Sequence, residues 1–257
     1  MNILDKIIAR KREEVAFAKN NLSIRKLEQT ADFQRDTYSF VDFVKTKSGL
    51  ICEYKRQSPS KGIINATALV EDVVKGYVAA GASAVSVLTD ADFFGGSNSD
   101  LQRARAAIDA PILRKDFTID EYQIIEAKAL GADLILLIAE CLTKQQVKDL
   151  AACAKNLGLY VLMEIHTEEQ LEKCCDSLDA IGVNNRNLKT FEVNIESSLQ
   201  ILPQIPNEFL KISESGISEI ETVKMLRKAG FDGFLIGENF MKTADPAASC
   251  LKFILNL

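Results

Sequence analysis

Charged and amide side chains stand at five places where a short apolar run stops, and they are the types that move protons. ICEYKRQSPSKG carries Glu53 and Lys55, PILRKDF carries Lys115, VLMEIH carries Glu164, IGVNNRNL carries Asn184 and Arg186, and KISESGIS carries Glu214 and Ser215. Alternate side chains of an extended strand share a face, so Ile51, Glu53 and Lys55 point one way and Leu113 goes with Lys115. A single charge at a strand end is usually a solvated loop residue or half of an ion pair. Five together imply more, because isolated charges are costly to bury and converging Glu and Lys side chains must compensate one another. Such networks are where proton affinities are shifted, although structural ion pairs shift them too. The chemistry indicated is proton transfer by lysine and glutamate.

Two further patterns accompany this one. SESGIS and LIGEN each place Gly (Gly216, Gly237) at a strand-to-helix turn, where free backbone amides and the helix dipole favour an anion. Phe93, Phe94, Phe117 and Leu137 follow or end apolar runs; core packing explains any one of them, but together they line one side of a mouth and sandwich a flat ring.

The elements that must position these groups repeat. From residue 49 onward, a short β-branched or Leu-rich run, a polar or Gly-rich turn and an amphipathic stretch recur eight times. The runs are Leu50 to Tyr54, Ala84 to Leu88, Ile112 to Leu113, Leu134 to Ile138, Tyr160 to Met163, Ala180 to Val183, Leu210 to Ile212 and Gly233 to Ile236. Helical stretches at Ala68 to Ala80, Tyr122 to Leu130, Lys144 to Leu157 and Ile220 to Ala229 fall between them, and AAGAS, ALGAD, NLGLY and AGFDG put Gly at helix ends. Continuous apolar strands are covered on both faces, which for eight consecutive βα units predicts a closed (β/α)8 TIM barrel over 49–257, with a doubly wound open sheet as the alternative. In that barrel the active site lies at the C-terminal strand ends, and the loops after strands seven and eight bind phosphate. Residues 1–48, with helical patterns at Ile3 to Ala18 and Phe40 to Val44, form an N-terminal helical extension that either closes the barrel bottom or folds over the substrate mouth.

The whole chain agrees. Its 257 residues, 47% hydrophobic, suit one barrel, and a net charge of -5 with acids and bases mixed gives no basic stripe for nucleic acid. The N-terminus lacks a signal-peptide core, and no window approaches the ~18 apolar residues that span a membrane, so a soluble cytoplasmic protein is expected. Six cysteines without a CxxC pair and one lone His166 indicate neither a zinc site nor a disulfide framework.

The strings ICEYKRQSPSKG, SVLTDADFFGGS, PILRKDF, IGVNNRNL, SESGI and FLIGENFM, in this order, resemble the indole-3-glycerol phosphate synthase family from about residue 3 to the end. KRxSPSxG is specific to that family among barrel enzymes, whereas SESGI and LIG are shared with other phosphate-binding barrels. The resemblance implies a lyase of tryptophan biosynthesis that closes the indole ring of 1-(2-carboxyphenylamino)-1-deoxyribulose 5-phosphate with loss of carbon dioxide and water, and requires no metal or organic cofactor. It implies Lys115 as general acid, Glu164 as general base or proton shuttle, Lys55 on the substrate carboxylate, Glu53 tuning Lys55, and Asn184, Arg186 and Glu214 as polar groups of the centre. Ser58, Ser215, Gly216 and Gly237 match the phosphate site, and Phe94 and Phe117 match the ring pocket; Leu137 and Leu235 are expected as further substrate-binding residues. The expected partner is the small phosphorylated substrate alone, without nucleic acid or membrane, for a monomer or weak homo-oligomer.

Two departures carry expectations of their own. Glu238 stands where some family members have Ser, and a carboxylate facing a phosphate is repulsive, so its side chain is expected to turn away. Gly95 and Gly96 stand where the family commonly has one glycine, which predicts a more mobile loop. Lysine acidity also has a condition: burial and Lys55 lower the proton affinity of Lys115, while Glu53 and Glu164 oppose them. Competing functions on the same residues are a sugar-phosphate aldolase with Lys115 as Schiff-base nucleophile and a non-catalytic phosphate-ligand sensor.

Overall fold

In the computed structural model, which describes residues 3–187 and 191–257, eight parallel strands close into a barrel. They are β1 (Leu50–Tyr54), β2 (Ala84–Leu88), β3 (Ile112–Lys115), β4 (Leu134–Ile138), β5 (Tyr160–Ile165), β6 (Ala180–Asn184), β7 (Leu210–Glu214) and β8 (Gly233–Ile236), each paired with its sequence neighbours and β8 with β1. The open-sheet alternative is thereby set aside. Four strands run further than the apolar pattern suggests: Lys115 pairs in register with Leu88, and Asn184 with Glu214. The polar groups expected beyond the strands are therefore their last rungs, because ladder hydrogen bonding continues where hydrophobicity stops.

Alternation sorts the strand residues into two layers. Ile51, Ala84, Leu113, Leu134, Leu136, Leu162, Ala180 and Ile212 fill the barrel interior, while Cys52, Val85, Ile135, Leu137, Val161 and Ile181 pack outward against the helices. Gly81, Gly131, Gly158 and Gly230 all take positive φ where helices end, as the four Gly phrases predict. All six cysteines are free thiols. No helix among the described residues is long and apolar enough to cross a membrane.

The N-terminal extension does both things left open for it. Its helix Phe40–Thr46 sits at the bottom, with Phe40 and Val44 joining the interior cluster and Val44 close to Gly233 at the start of β8. Its helix Ile3–Asn21 crosses the mouth, where Ile3, Leu4 and Ile7 reach the cavity.

Candidate active site

The strand register sets acids and bases at one level of the barrel. Glu53 pairs with Ser86, Leu88 with Lys115, Ile138 with Glu164, Glu164 with Gly182 and Asn184 with Glu214. Lys115 Nζ donates to Glu164 Oε2 at 2.6 Å and to Glu214 Oε2 at 3.1 Å. Asn184 Nδ2 donates to Glu164 Oε1 at 2.9 Å, and Lys55 Nζ lies 2.7 Å from Glu53 Oε1. Five strand ends thus meet in one cavity, whose wall includes Glu53, Lys55, Lys115, Glu164, Asn184 and Glu214. Gly182 leaves room for this carboxylate: a Cβ there would stand against Glu214 Oε1 and the Glu214 side chain would have to shift.

One ammonium serving two buried carboxylates splits them. Burial alone would raise the Glu164 carboxyl, but Lys115, aided by His166 and Asn184, outweighs it and brings Glu164 down to about 2. Glu214 is pushed up to about 7 by burial, with the Glu164 charge opposing the pull of Lys115. Burial lowers Lys115, yet Glu164, Glu214 and Glu53 overcome it and hold the ammonium above the ordinary lysine range. The falling proton affinity set as a condition for lysine acidity is not met, because three carboxylates surround one cation.

The cavity's other wall is apolar. Phe94 and Phe117 stand with ring centroids 6.1 Å apart and tilted by 40°, and Leu235, Leu136, Ile138, Leu4 and Ile7 join them. Leu137 does not: it faces outward and packs under the helices, and Leu136 takes the assigned place. Phe93 packs beside the interior cluster without lining the cavity. Sequence reasoning passed over Leu136, Ile138 and Asp116, and it could not choose the mouth for Ile3, Leu4 and Ile7, although their helical spacing was visible.

The opposite end is polar. Ser58, Arg186, Ser215 and Glu238 line it. Ser215 holds a left-handed φ of 68°, and Asn185 Nδ2 donates to its carbonyl at 2.9 Å; such a conformation persists only where neighbours impose it. Gly216 and Gly237 stand beside this wall rather than in it. Their lack of a side chain makes room for Val193 and Glu53, since a Cβ would come 2.1 Å and 2.8 Å from those side chains. Glu238 does not turn away. It lies 3.6 Å from Lys61 Nζ and 3.7 Å from Arg186 Nη2, so two cations offset the repulsion that motivated the expectation. The Gly95-Gly96 loop is hydrogen-bonded to Asp90: Gly96 N donates to the Asp90 carbonyl at 2.8 Å, and the Phe93 and Phe94 amides donate to the Asp90 carboxylate at 2.9 and 3.2 Å. No cluster of three or more His, Cys, Asp or Glu side chains suited to a metal ion occurs among the described residues.

Comparison with known proteins agrees with this geometry. The family model for indole-3-glycerol phosphate synthase matches residues 4–253. The chain is 48% identical to the indole-3-glycerol phosphate synthase of Bacteroides thetaiotaomicron, over 98% of each chain, and 42% identical to that of Polynucleobacter asymbioticus, over 96% of this chain and 97% of the other. Among solved structures it resembles a mutant tryptophan synthase α-subunit from Pyrococcus furiosus (TM-score 0.59, 15% identity, 82% of this chain and 99% of that one), which speaks to the fold alone. A matched model spanning almost the whole chain, with relatives of this identity, places the protein in the indole-3-glycerol phosphate synthase family.

Proposed function

We propose that the cavity carries out the family's reaction through the residues named above, and the observation that carries this reading is Lys115 held between Glu164 and Glu214 beside a pair of aromatic rings. The reaction is the ring closure of 1-(2-carboxyphenylamino)-1-deoxyribulose 5-phosphate to indole-3-glycerol phosphate, with loss of carbon dioxide and water. The phosphate lies toward Ser58, Ser215 and Arg186, with backbone amides near Gly216 and Gly237 assisting; the aromatic ring lies against Phe94, Phe117 and Leu235; Lys55, steadied by Glu53, takes the substrate carboxylate.

The steps follow from charge. As the ring carbon attacks the ketone, its oxygen becomes an alkoxide, which is more basic than any amine, so even a strongly held Lys115 ammonium protonates it. The carbon–carboxylate bond then breaks, its electrons restore the aromatic ring, and carbon dioxide leaves. The new hydroxyl departs as water when it receives a proton from a lysine, while Glu164 takes a proton from the neighbouring methylene carbon. Asn184 keeps Glu164 aimed, and Glu214, with its raised proton affinity, stores a proton beside Lys115. A Schiff-base role for Lys115 is disfavoured, since it needs a free amine and two carboxylates hold the ammonium. Residues 1–48 serve as an extension of the one barrel, 49–257, and the protein works on this small molecule in the cytoplasm as a monomer or weak homo-oligomer, without nucleic acid or membrane.

The test is indole-3-glycerol phosphate formation, followed by fluorescence without added metal. Lys115→Met lowers kcat by about 100-fold or more, the scale of lost acid catalysis, and Glu164→Gln lowers kcat more than it raises KM. Full turnover in Lys115→Met would reject the assignment.

A further inference from the structure

The ring closure does not balance in protons within the site. The substrate carboxylate leaves as neutral carbon dioxide; the ketone oxygen takes two protons in becoming water; the methylene carbon returns one. Each turnover therefore draws one proton from solvent. Lys115 and Glu164 pass protons across 2.6 Å but cannot create that one, and a substrate filling the cavity covers both.

The lone histidine stands where such a proton would enter. His166 follows Glu164 by two residues and stands in the bend directly after β5. Its Nε2 lies 3.6 Å from Glu164 Oε1, on the same oxygen that accepts from Asn184. Both ring nitrogens are buried, and neither has a hydrogen-bond partner among the described residues. A buried histidine kept for packing would have its nitrogens satisfied; this one is left with capacity on both. The backbone is nonetheless fixed: His166 N donates to Gln170 Oε1 at 2.8 Å, and Gln170 Nε2 donates to Glu140 Oε2 at 2.6 Å. The ring lies outside the cavity wall, and its side chain is 12% exposed against 3% for Glu164 although both nitrogens are covered, so bound substrate does not block it and a turn of the ring brings a nitrogen to water. The titratable group beside the ring is Glu164, with Lys115 and Glu214 behind it; Glu140 shares Gln170 with the His166 backbone, and Cys141 feels the charges of Glu164, Glu140 and Lys173.

Resting on the reading above, we propose that His166 relays the solvent proton to Glu164 and through it to Lys115. The imidazolium gives its proton from Nε2 to the Glu164 carboxylate. Glu164 hands it to the Lys115 amine left by the first donation, and the restored ammonium protonates the leaving hydroxyl. The neutral imidazole then takes a proton from water. His166 touches no reacting atom and acts through Glu164, which makes it a positioning and relay residue. At 3.6 Å the two groups are not hydrogen-bonded, and proton transfer needs the ring to close by under 1 Å to the roughly 2.6–3.2 Å reach of a proton donor.

Steady-state kinetics of His166→Gly and His166→Gln test this. We expect kcat to fall about 10-fold or more at neutral pH, the lower range of proton-transfer effects, with KM changed by less than about twofold. Added imidazole restores kcat in His166→Gly, and the restored rate follows the concentration of protonated imidazole as pH is varied; a purely structural role has no such dependence. His166→Gln can hydrogen-bond Glu164 but carries no proton, so it stays slow. Parental kcat in His166→Gln, or a loss confined to KM, overturns the relay, as does a folded His166→Gly that imidazole does not rescue. Should His166→Gly fail to fold, His166→Gln and His166→Asn decide alone: low kcat with native KM supports the relay, and parental kcat overturns it. Undiminished turnover in Lys115→Met would instead sink the reading of the site, a result separate from these.

Discussion

Lys11 provides the severest test of how the mouth is built. It lies one helical turn beyond Ile7 on the helix Ile3–Asn21, and its Nζ stands 2.7 Å from Glu14, 3.0 Å from Asp90 and 2.9 Å from Asp116. The Lys11, Asp90 and Asp116 side chains are 4%, 1% and 4% exposed. Lys11→Met keeps the apolar stem and removes the charge, leaving two buried acids without their common cation. Removing one partner of a buried pair costs about 3–5 kcal/mol. Asp116 retains the Thr89 hydroxyl, the Phe117 amide and Arg114 at 3.7 Å, whereas Asp90 Oδ2 has no hydrogen bond and depends on the lysine charge. That mixture favours the lower end, about 3 kcal/mol, or a fall of roughly 6–12 °C in Tm for a domain of this size.

Circular dichroism melts read this directly. Lys11→Met/Asp90→Asn removes one of the two stranded charges and recovers about half of the loss. The proton affinity of Asp116 is lowered because Lys11 and Arg114 outweigh its burial. A lowered acid stabilises the fold above its unfolded value, 3.8, and loses that contribution as pH falls further, so the gap between parent and Lys11→Met narrows in acid below about pH 4. A drop of less than about 2 °C at pH 7 would refute the reasoning, because the acids would then have found other compensation. Ile3, Leu4 and Ile7 wall the cavity, so KM rises more than kcat falls in the folded variant.

Two further outcomes follow from the acid pair. Gly182→Ala drives a methyl against Glu214 Oε1 and displaces the carboxylate from Lys115; losing a charged hydrogen bond of about 1.5–3 kcal/mol predicts a kcat about 10-fold lower or worse, and unchanged kinetics would show that Glu214 moves freely. Glu214 is pushed up from 4.5 to about 7, so the folded state favours its protonated form. That contribution is complete below about pH 4.5 and is lost as pH rises to about 7, while the Glu164 contribution, from an acid lowered to about 2, is kept above pH 4.5. The Tm of the parent relative to Glu214→Gln therefore declines between pH 5 and pH 8, and a flat difference would contradict the assignment.

What the sequence made legible depends on whether a strand reveals its phase. In β1 and β3, Glu53 and Lys115 mark the inward face, and their apolar neighbours Ile51 and Leu113 fall into place behind them. In β4 the run LILLI is apolar throughout, nothing marks a face, and the choice between Leu136 and Leu137 depends on a one-residue slip that reverses every side chain. Continuous apolarity, the property that announces a parallel barrel strand, is thus the property that hides which residues reach the site. Glu238 and Lys11 escaped for the complementary reason. Each looks misplaced by type, a carboxylate at an anion site and an ammonium on an apolar stripe, and each is compensated by residues remote in the chain: Lys61 and Arg186 for the first, Asp90 and Asp116 for the second. His166 lies between these cases. Its count indicated no zinc site, but a count is silent about neighbours, and only the folded chain shows the ring beside Glu164 with both nitrogens unclaimed. Local periodicity therefore reaches the direction of a side chain, while its partners, and with them its charge state, are properties of the closed barrel.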